Sequence, residues 1–338
     1  MKDIFTQTAV LKNFKKPLSI ERLKISEIKS NQVLVKLFYS GICKSQLMEI
    51  EGGRSNKRYL PHMLGHEGSG IVEKVGKKVK KVKKGDEVIL TWIKTSGANS
   101  GGGFIKNKNK KINYGPVTTF SNYSIISENR LVKKPRYIDR KIATLFGCAL
   151  STGAGMVLKQ SKISQNDNVL VYGLGGIGFC SLITLLAIKQ KNIYVYDLNK
   201  NKVRLAKKFG AKNIDLNQKQ KKYLNFFDLC IETCGQTSTI EKGFDLIKNK
   251  GTLIFASHPS KDKKIKIKPH DLIKGKKIIG SWGGSTNLEK DLPKYFKVLK
   301  NKMNLLKFLV SKKYKIENIN LALNHMKKGL AIRPIIKF

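Results

Sequence analysis

The sequence predicts an α/β protein in two parts, a mostly β first part and a second part built on a doubly wound parallel sheet. Two rhythms carry that reading. Up to about residue 130, short runs alternate apolar and polar residues at period two, as half-buried strands do. Beyond about Ser151, strand-like runs alternate with helical ones, the order that makes a parallel sheet with helices on both faces. A chain of 338 residues also suits two domains better than one core.

In the first part Val33, Val35, Leu37 and Tyr39 alternate with their neighbours. Shorter strands are expected over residues 70–75 and 87–92, each bounded by Gly or Lys-Gly turns. Residues 94–111 are rich in Ser, Gly, Asn and Lys and contain Gly101-Gly102-Gly103, a composition that reads as an exposed loop without core residues. In the second part, strands are expected over 168–172, 193–197, 227–232, 251–257 and 277–281. Helices fall between them over 177–188, 200–209 and 239–248. From Leu292 onward the alternation stops, leaving a helix at 319–328 and a strand at 334–338 that are expected to return to the first part. The expected division is therefore 1–149, 150–283 and 284–338.

Composition narrows the class. Hydrophobic residues make up 41%, enough for real cores in a soluble globular protein. The formal charge of +44, from 67 Lys+Arg against 23 Asp+Glu, raises the idea of nucleic acid. Only eight of those cations are arginines, the residues that read bases and phosphates with bidentate forks, so the excess reads as a solvated lysine surface. The five cysteines, Cys43, Cys148, Cys180, Cys230 and Cys234, are odd in number and contain no C-x-x-C pair, which excludes a disulfide framework and a zinc ribbon. The first residues carry no apolar signal segment, and the greasiest run, 179–188, is too short to cross a bilayer. A cytoplasmic address without membrane contact is expected.

Val169-Leu170-Val171-Tyr172 runs into Gly173-Leu174-Gly175-Gly176-Ile177-Gly178, which opens a helix, and the next strand ends in Asp197. This is the dinucleotide fingerprint in its required setting of strand, glycines, helix, strand and acid. Gly173 permits the tight turn, Gly175 lets backbone N–H groups approach a pyrophosphate, and Gly178 allows close helix–strand packing. Asp197 at the second strand's end accepts ribose hydroxyls and repels a 2′-phosphate, which argues NAD over NADP, with Lys200 and Lys202 nearby weighing the other way.

Cys43 in Gly41-Ile42-Cys43-Lys44-Ser45-Gln46, His66 in Leu64-Gly65-His66-Glu67-Gly68 and Cys148 in Gly147-Cys148-Ala149 offer two thiolates and an imidazole, donors that suit zinc. Singly, each has a bland reading as a buried small hydrophobe or a satisfied polar group. Together with the fingerprint, with Gly85-Asp86-Glu87-Val88, Thr119-Phe120-Ser121-Asn122-Tyr123 and Ala331-Ile332-Arg333-Pro334, these segments resemble the zinc-dependent medium-chain alcohol dehydrogenase family over nearly the whole chain. The resemblance implies a GroES-like, mostly β catalytic domain and a Rossmann-type NAD-binding domain. It further implies one catalytic zinc on Cys43, His66 and Cys148, with Glu67 able to approach or replace a ligand. Ser45 would take the alcohol proton. Lys44 and Arg333 would face the cofactor pyrophosphate, Gly176 and Lys202 would add cofactor contacts, and Thr152 and Ile177 would meet the nicotinamide end. Trp92 would wall the substrate pocket, a role weighed equally against plain core packing.

Three departures from the family pattern stand out. Gln46 occupies the place of an Asp that orients the liganding His, and its amide oxygen is expected to accept that N–H without bringing charge. Met48 stands where some relatives carry a His that ends the proton relay. Residues 94–111 contain no Cys, although many relatives hold a structural zinc there, so a single zinc per chain is expected. Cys180, Cys230 and Cys234 read as packing residues.

The activity implied is interconversion of a small alcohol with an aldehyde or ketone by hydride transfer to NAD, zinc and cofactor meeting across a closing cleft. A homodimer or homotetramer is expected by analogy alone. Competing readings are a polyol, sugar or nucleotide-sugar dehydrogenase of the same superfamily, a nucleic-acid-binding protein on a dehydrogenase scaffold, and an NAD-binding scaffold without chemistry.

Overall fold

The structure is a computed structural model that describes every residue except Met1, Lys2, Ser26, Ser55, Lys108, Asn109, Lys219 and Lys261. Among the described residues the strands begin with β1 (Phe5–Leu11), β2 (Ser19–Lys24), β3 (Gln32–Gly41), β4 (His62–Met63), β5 (Gly68–Val75) and β6 (Glu87–Leu90). There follow β7 (Gly103–Asn107), β8 (Lys110–Tyr114), β9 (Tyr123–Ser127) and β10 (Leu131–Lys133). The next set is β11 (Asn168–Tyr172), β12 (Asn192–Tyr196), β13 (Lys212–Asn213), β14 (Phe227–Glu232), β15 (Ile247–Phe255) and β16 (Lys277–Gly280). Last come β17 (Lys313–Tyr314) and β18 (Ile335–Lys337).

The chain packs as two units. One holds residues up to Cys148 together with Asn287–Lys290 and Leu309–Phe338, and the other holds Ala149–Thr286 and Asp291–Phe308. Residues 291–308, expected to return to the first unit with the rest of the tail, belong instead to the second.

The first unit carries two sheets, one ordered β2-β1-β4-β8-β7 and one ordered β10-β6-β5-β3-β18-β17, with β9 also paired to β3. The alternation read in β3 has its physical counterpart in burial. Val33, Val35 and Leu37 pack with Val72, Val88 and Leu90 in one apolar cluster. Each such side chain contributes about 1.5–3 kcal/mol relative to exposure. Segment 94–111 corrects the sequence expectation, because β7 and β8 pair antiparallel and β8 joins β4. Ile105 within it and Ile112 just beyond it decide the matter: both are buried with Tyr114, Leu34 and Ile125. A few apolar residues set among Gly, Lys and Asn give little periodic signal, yet they anchor a hairpin onto an existing sheet.

The second unit is a six-stranded parallel sheet, β13-β12-β11-β14-β15-β16. Strand order reverses beside β11, which places a crevice outside the carboxyl ends of β11 and β14, where open α/β sheets bind ligands. β11 and β14 match their expected bounds, whereas β15 begins at Ile247 rather than 251 because Phe227 pairs with Ile247 before a register shift brings Leu229 opposite Thr252. Helix Gly176–Ala187 buries Phe179, Cys180, Leu182, Ile183 and Leu185. An apolar surface all round fits a helix packed on more than one side. No single helix among the described residues is long and apolar enough to cross a membrane.

Candidate active site

Three donors distant in sequence meet in the first unit. Cys43 Sγ, a ring nitrogen of His66 and Cys148 Sγ lie within 4.8 Å of one another. Local geometry explains how each arrives. Cys43 leaves β3 in an extended conformation and caps helix Lys44–Ile50. Gly65 turns the chain ahead of His66 with φ +91, and a Cβ there would sit 2.7 Å from Phe120 N, so only glycine fits. Gly147 precedes Cys148 where a Cβ would lie 2.3 Å from Leu90 O. Thr91 Oγ1 donates to the Gly147 carbonyl at 2.8 Å and fixes that peptide.

The donor set fits a zinc ion. His66 Nε2 and the Ser45 hydroxyl are buried without a hydrogen-bond partner, and such orphans are rare unless something else satisfies them. Two sulfurs and an imidazole nitrogen are the donors of a three-ligand zinc site with a position left for substrate. The two thiols lie side by side. The Cys148 thiol beside it, helped by Arg333 and His66, holds Cys43 well below the usual thiol range against the effect of burial. Cys43 and burial together push Cys148 well above that range. A bound divalent cation favours deprotonation of both sulfurs.

Around this cluster the structure alters two expectations. The Gln46 oxygen accepts the Gly65 N–H at 2.5 Å, so the amide nitrogen faces the His66 Nδ1 at 3.0 Å and Glu49 Oε2 at 3.3 Å. The oxygen expected at His66 is therefore committed to the turn that presents it. With a donor against Nδ1, the neutral ring carries its proton on Nε2, and a metal at Nε2 has to displace it. Glu67 likewise is not among the three grouped donors. Its two oxygens accept from Arg333 Nε at 2.7 Å and Nη2 at 2.8 Å, with both side chains almost fully buried. Burial pushes the Glu67 carboxyl up while the guanidinium opposes it. Both oxygens accepting from Arg333 leaves the group ionised. Arg333, expected at the pyrophosphate, has two of its three nitrogens on Glu67. A Cβ on Gly41 would stand 2.2 Å from Glu67 Oε1, so that glycine makes room for the pair.

In the second unit the glycine turn has the form the fingerprint requires. Gly173 has φ +96, and a Cβ on Gly178 would lie 1.9 Å from the Gly173 carbonyl. A Cβ on Gly175 meets nothing within 4 Å, so the protein's own packing does not demand glycine there. Open space above Gly175, at the start of helix Gly176–Ala187, fits an approaching pyrophosphate. Asp197 lies just past β12, where its Oδ2 accepts from Leu174 N at 2.6 Å and its Oδ1 from Asn199 N at 2.8 Å. The acid therefore also ties the turn. Thr233, which the sequence reading passed over, donates from Oγ1 to the Gly173 carbonyl at 2.7 Å. Nothing in a loop after a strand signals such a contact.

The remaining expected residues are placed as follows. Lys44 is exposed on the first turn of its helix, Thr152 is buried in helix Ala149–Gly155, and Ile177 and Lys202 are half-buried. Trp92 is half-buried on the Val35 and Val72 cluster. Cys180 and Cys230 are fully buried, and the half-buried Cys234 donates weakly to Tyr172 O at 3.5 Å. Among the described residues, Cys43, His66 and Cys148 form the one cluster of this kind suited to a metal.

A Cys-His-Cys cluster in a mostly β unit and a glycine turn in a parallel-sheet unit define a dinucleotide-linked metal dehydrogenase fold. Residues 29–136 match the family described as "Alcohol dehydrogenase GroES-like domain", and residues 176–301 match "Zinc-binding dehydrogenase". The chain belongs to the zinc-dependent medium-chain dehydrogenase family. It is 28% identical to alcohol dehydrogenase class-3 of Drosophila melanogaster over 100% of this chain and 98% of that protein. The Caenorhabditis elegans protein of the same description is 26% identical over 98% of this chain and 96% of its own length. Among solved structures, benzyl alcohol dehydrogenase from Acinetobacter calcoaceticus superposes with TM-score 0.87 at 25% identity, covering 100% of both chains. An alcohol dehydrogenase zinc-binding domain protein from Burkholderia ambifaria reaches TM-score 0.89 at 23% identity over 100% of both chains, a likeness of fold.

Proposed function

We propose that the chain is a zinc-dependent, NAD-linked alcohol dehydrogenase that interconverts a small alcohol with its aldehyde or ketone. The observation that carries the reading is the convergence of Cys43, His66 and Cys148 around the buried, unpartnered His66 Nε2. Relatives described as alcohol dehydrogenase class-3 and S-(hydroxymethyl)glutathione dehydrogenase, aligned over almost the full chain, support the alcohol chemistry.

Cys43, His66 and Cys148 would hold zinc, which supplies Lewis acidity toward an alcohol oxygen and so makes the alcohol easier to deprotonate. Gly173, Gly175 and Gly178 would cradle the pyrophosphate of NAD, which supplies the hydride acceptor. The chain's own residues do the rest. Ser45 Oγ, buried and without a hydrogen-bond partner, would accept the alcohol proton. Asp197 presents a carboxylate to the ribose hydroxyls and disfavours a 2′-phosphate. Arg333, buried and held by Glu67, adds fixed positive charge that favours the Cys43 thiolate. The test is a screen of simple alcohols, polyols and sugar derivatives on metal-quantified protein, following NADH absorbance with NAD and NADP in parallel. Turnover of simple alcohols with NAD is expected, and its absence across the screen in zinc-replete protein would defeat the reading.

A further inference from the structure

The peptide that joins Gly173 to Leu174 begins the glycine turn, and it is gripped from both ends. Its carbonyl accepts from Thr233 Oγ1 at 2.7 Å, and its N–H donates to Asp197 Oδ2 at 2.6 Å. The two partners arrive from different strands. Asp197 follows β12 and Thr233 follows β14, the neighbours of β11 on either side.

Each jaw of this clamp is itself anchored. Asp197 Oδ1 accepts from Asn199 N at 2.8 Å, and Thr233 N donates to the Tyr172 carbonyl at 2.8 Å. The residue before Thr233 is the fully buried Glu232, whose Oε1 accepts from Cys234 N at 2.7 Å, Gly235 N at 3.1 Å and Thr239 Oγ1 at 2.8 Å. The loop that carries Thr233 is thus pinned on the strand side and on the helix side. Thr233 Oγ1 also lies against the start of helix Gly176–Ala187, since a Cβ on Gly178 would fall 2.8 Å from it.

A run such as Gly173-Leu174-Gly175-Gly176 has wide backbone freedom when nothing holds it. An anion at a helix N-terminus needs several N–H groups pointing one way at once. Fixing the peptide plane before the ligand arrives removes an ordering cost that binding would otherwise carry. We propose that Thr233 is a positioning residue for the dinucleotide: its hydroxyl, opposing Asp197, locks the Gly173–Leu174 peptide in the orientation that presents the turn to a pyrophosphate. The proposal rests on the cofactor reading above and names the side chain through which that site keeps its shape. Valine has nearly the outline of threonine and no hydroxyl, so it separates the hydrogen bond from the packing.

The experiment is fluorescence titration of the zinc-replete full chain with NADH, and displacement of NADH by ADP-ribose, on the parent, Thr233→Val and Thr233→Ser. Thr233→Val should bind both ligands about fivefold more weakly, the scale of one neutral hydrogen bond. Loss of the same factor for ADP-ribose places the effect at the pyrophosphate half, because that ligand has no nicotinamide. Thr233→Ser keeps the donor and should stay within about twofold of the parent. Parent-like NADH affinity in Thr233→Val, with its urea unfolding transition intact, overturns the proposal. Thr233→Ser binding as weakly as Thr233→Val overturns it too, since the hydroxyl would then count for nothing. Should the valine variant not fold, Thr233→Ala carries the same expectation and the same refutation. A parent that binds neither NADH nor NADPH defeats the cofactor reading and the proposal with it, whereas tight binding that Thr233→Val leaves unchanged defeats the proposal alone.

Discussion

Replacing Arg333 with Met removes one half of a buried ion pair and leaves the other half in place. Glu67 is 0% and Arg333 4% exposed at the side chain, and both carboxylate oxygens rely on the guanidinium. Removing one partner from such a pair destabilises by about 3–5 kcal/mol, because an uncompensated charge remains in a low-dielectric setting. Glu67 limits that loss by taking up a proton, which ties the effect to pH. Burial already raises the Glu67 carboxyl, and without the opposing guanidinium it rises further. A carboxyl raised in the folded state holds its proton more tightly than in the unfolded chain, so the variant is favoured at low pH and loses ground as pH rises. Urea unfolding of Arg333→Met should therefore show a deficit of about 3–5 kcal/mol at pH 8 and a clearly smaller one at pH 5.5. Adding Glu67→Gln should recover at least half of the loss at pH 8. A single variant within about 1 kcal/mol of the parent at both pH values would show that the pair does not carry the energy assigned to it.

Exchanging the charges of the inner pair, Gln46→Glu with Glu49→Gln, gives His66 Nδ1 an acceptor while keeping net charge, and zinc affinity by chelator competition should rise about tenfold; unchanged or weaker affinity contradicts the tautomer assigned to His66. Gly175→Val should leave unfolding by urea within about 0.5 kcal/mol of the parent while weakening NADH binding, read by fluorescence, at least tenfold, since a side chain there meets only open space. Gly178→Val should instead destabilise the fold outright, its Cβ falling 1.9 Å from a carbonyl oxygen. Burial raises the Glu232 carboxyl, whose Oε1 accepts from Cys234 N and Gly235 N while Oε2 has no partner. The folded chain therefore loses stability as pH rises above the ordinary glutamate range, and Glu232→Gln should flatten that slope in urea unfolding; an unaltered slope rules out this group as its source.

Much of the fold is readable in the residues because periodicity and glycine chemistry are local. β11 and the glycine turn after it follow from an apolar run ending in residues that only a turn and a ligand explain. The hairpin β7–β8 escaped because its few apolar residues sit among Gly, Lys and Asn, and the burial of Ile105 and Ile112 depends on a sheet formed by distant segments. The site divides the same way. Cys43, His66 and Cys148 carry donor chemistry in their identity, yet each alone reads as an ordinary buried residue, and it is the resemblance of the segments around them to the zinc-dependent medium-chain alcohol dehydrogenase family that singles them out. The partners around them were not readable. Whether the Gln46 oxygen turns to His66 or to Gly65, and whether Arg333 faces phosphate or Glu67, depends on which burial each side chain meets, and sequence spacing does not encode it. Thr233 shows the same limit, because its hydroxyl meets the Gly173 carbonyl only after β11 and β14 have paired.

The central assignment is tested most directly by elemental analysis of purified chain for bound zinc, with the parent beside Cys43→Ala and Cys148→Ala. One zinc per chain in the parent and close to none in either variant is the predicted result. A parent that takes up no zinc when supplied with it, or a Cys43→Ala protein that retains a full equivalent, contradicts the account.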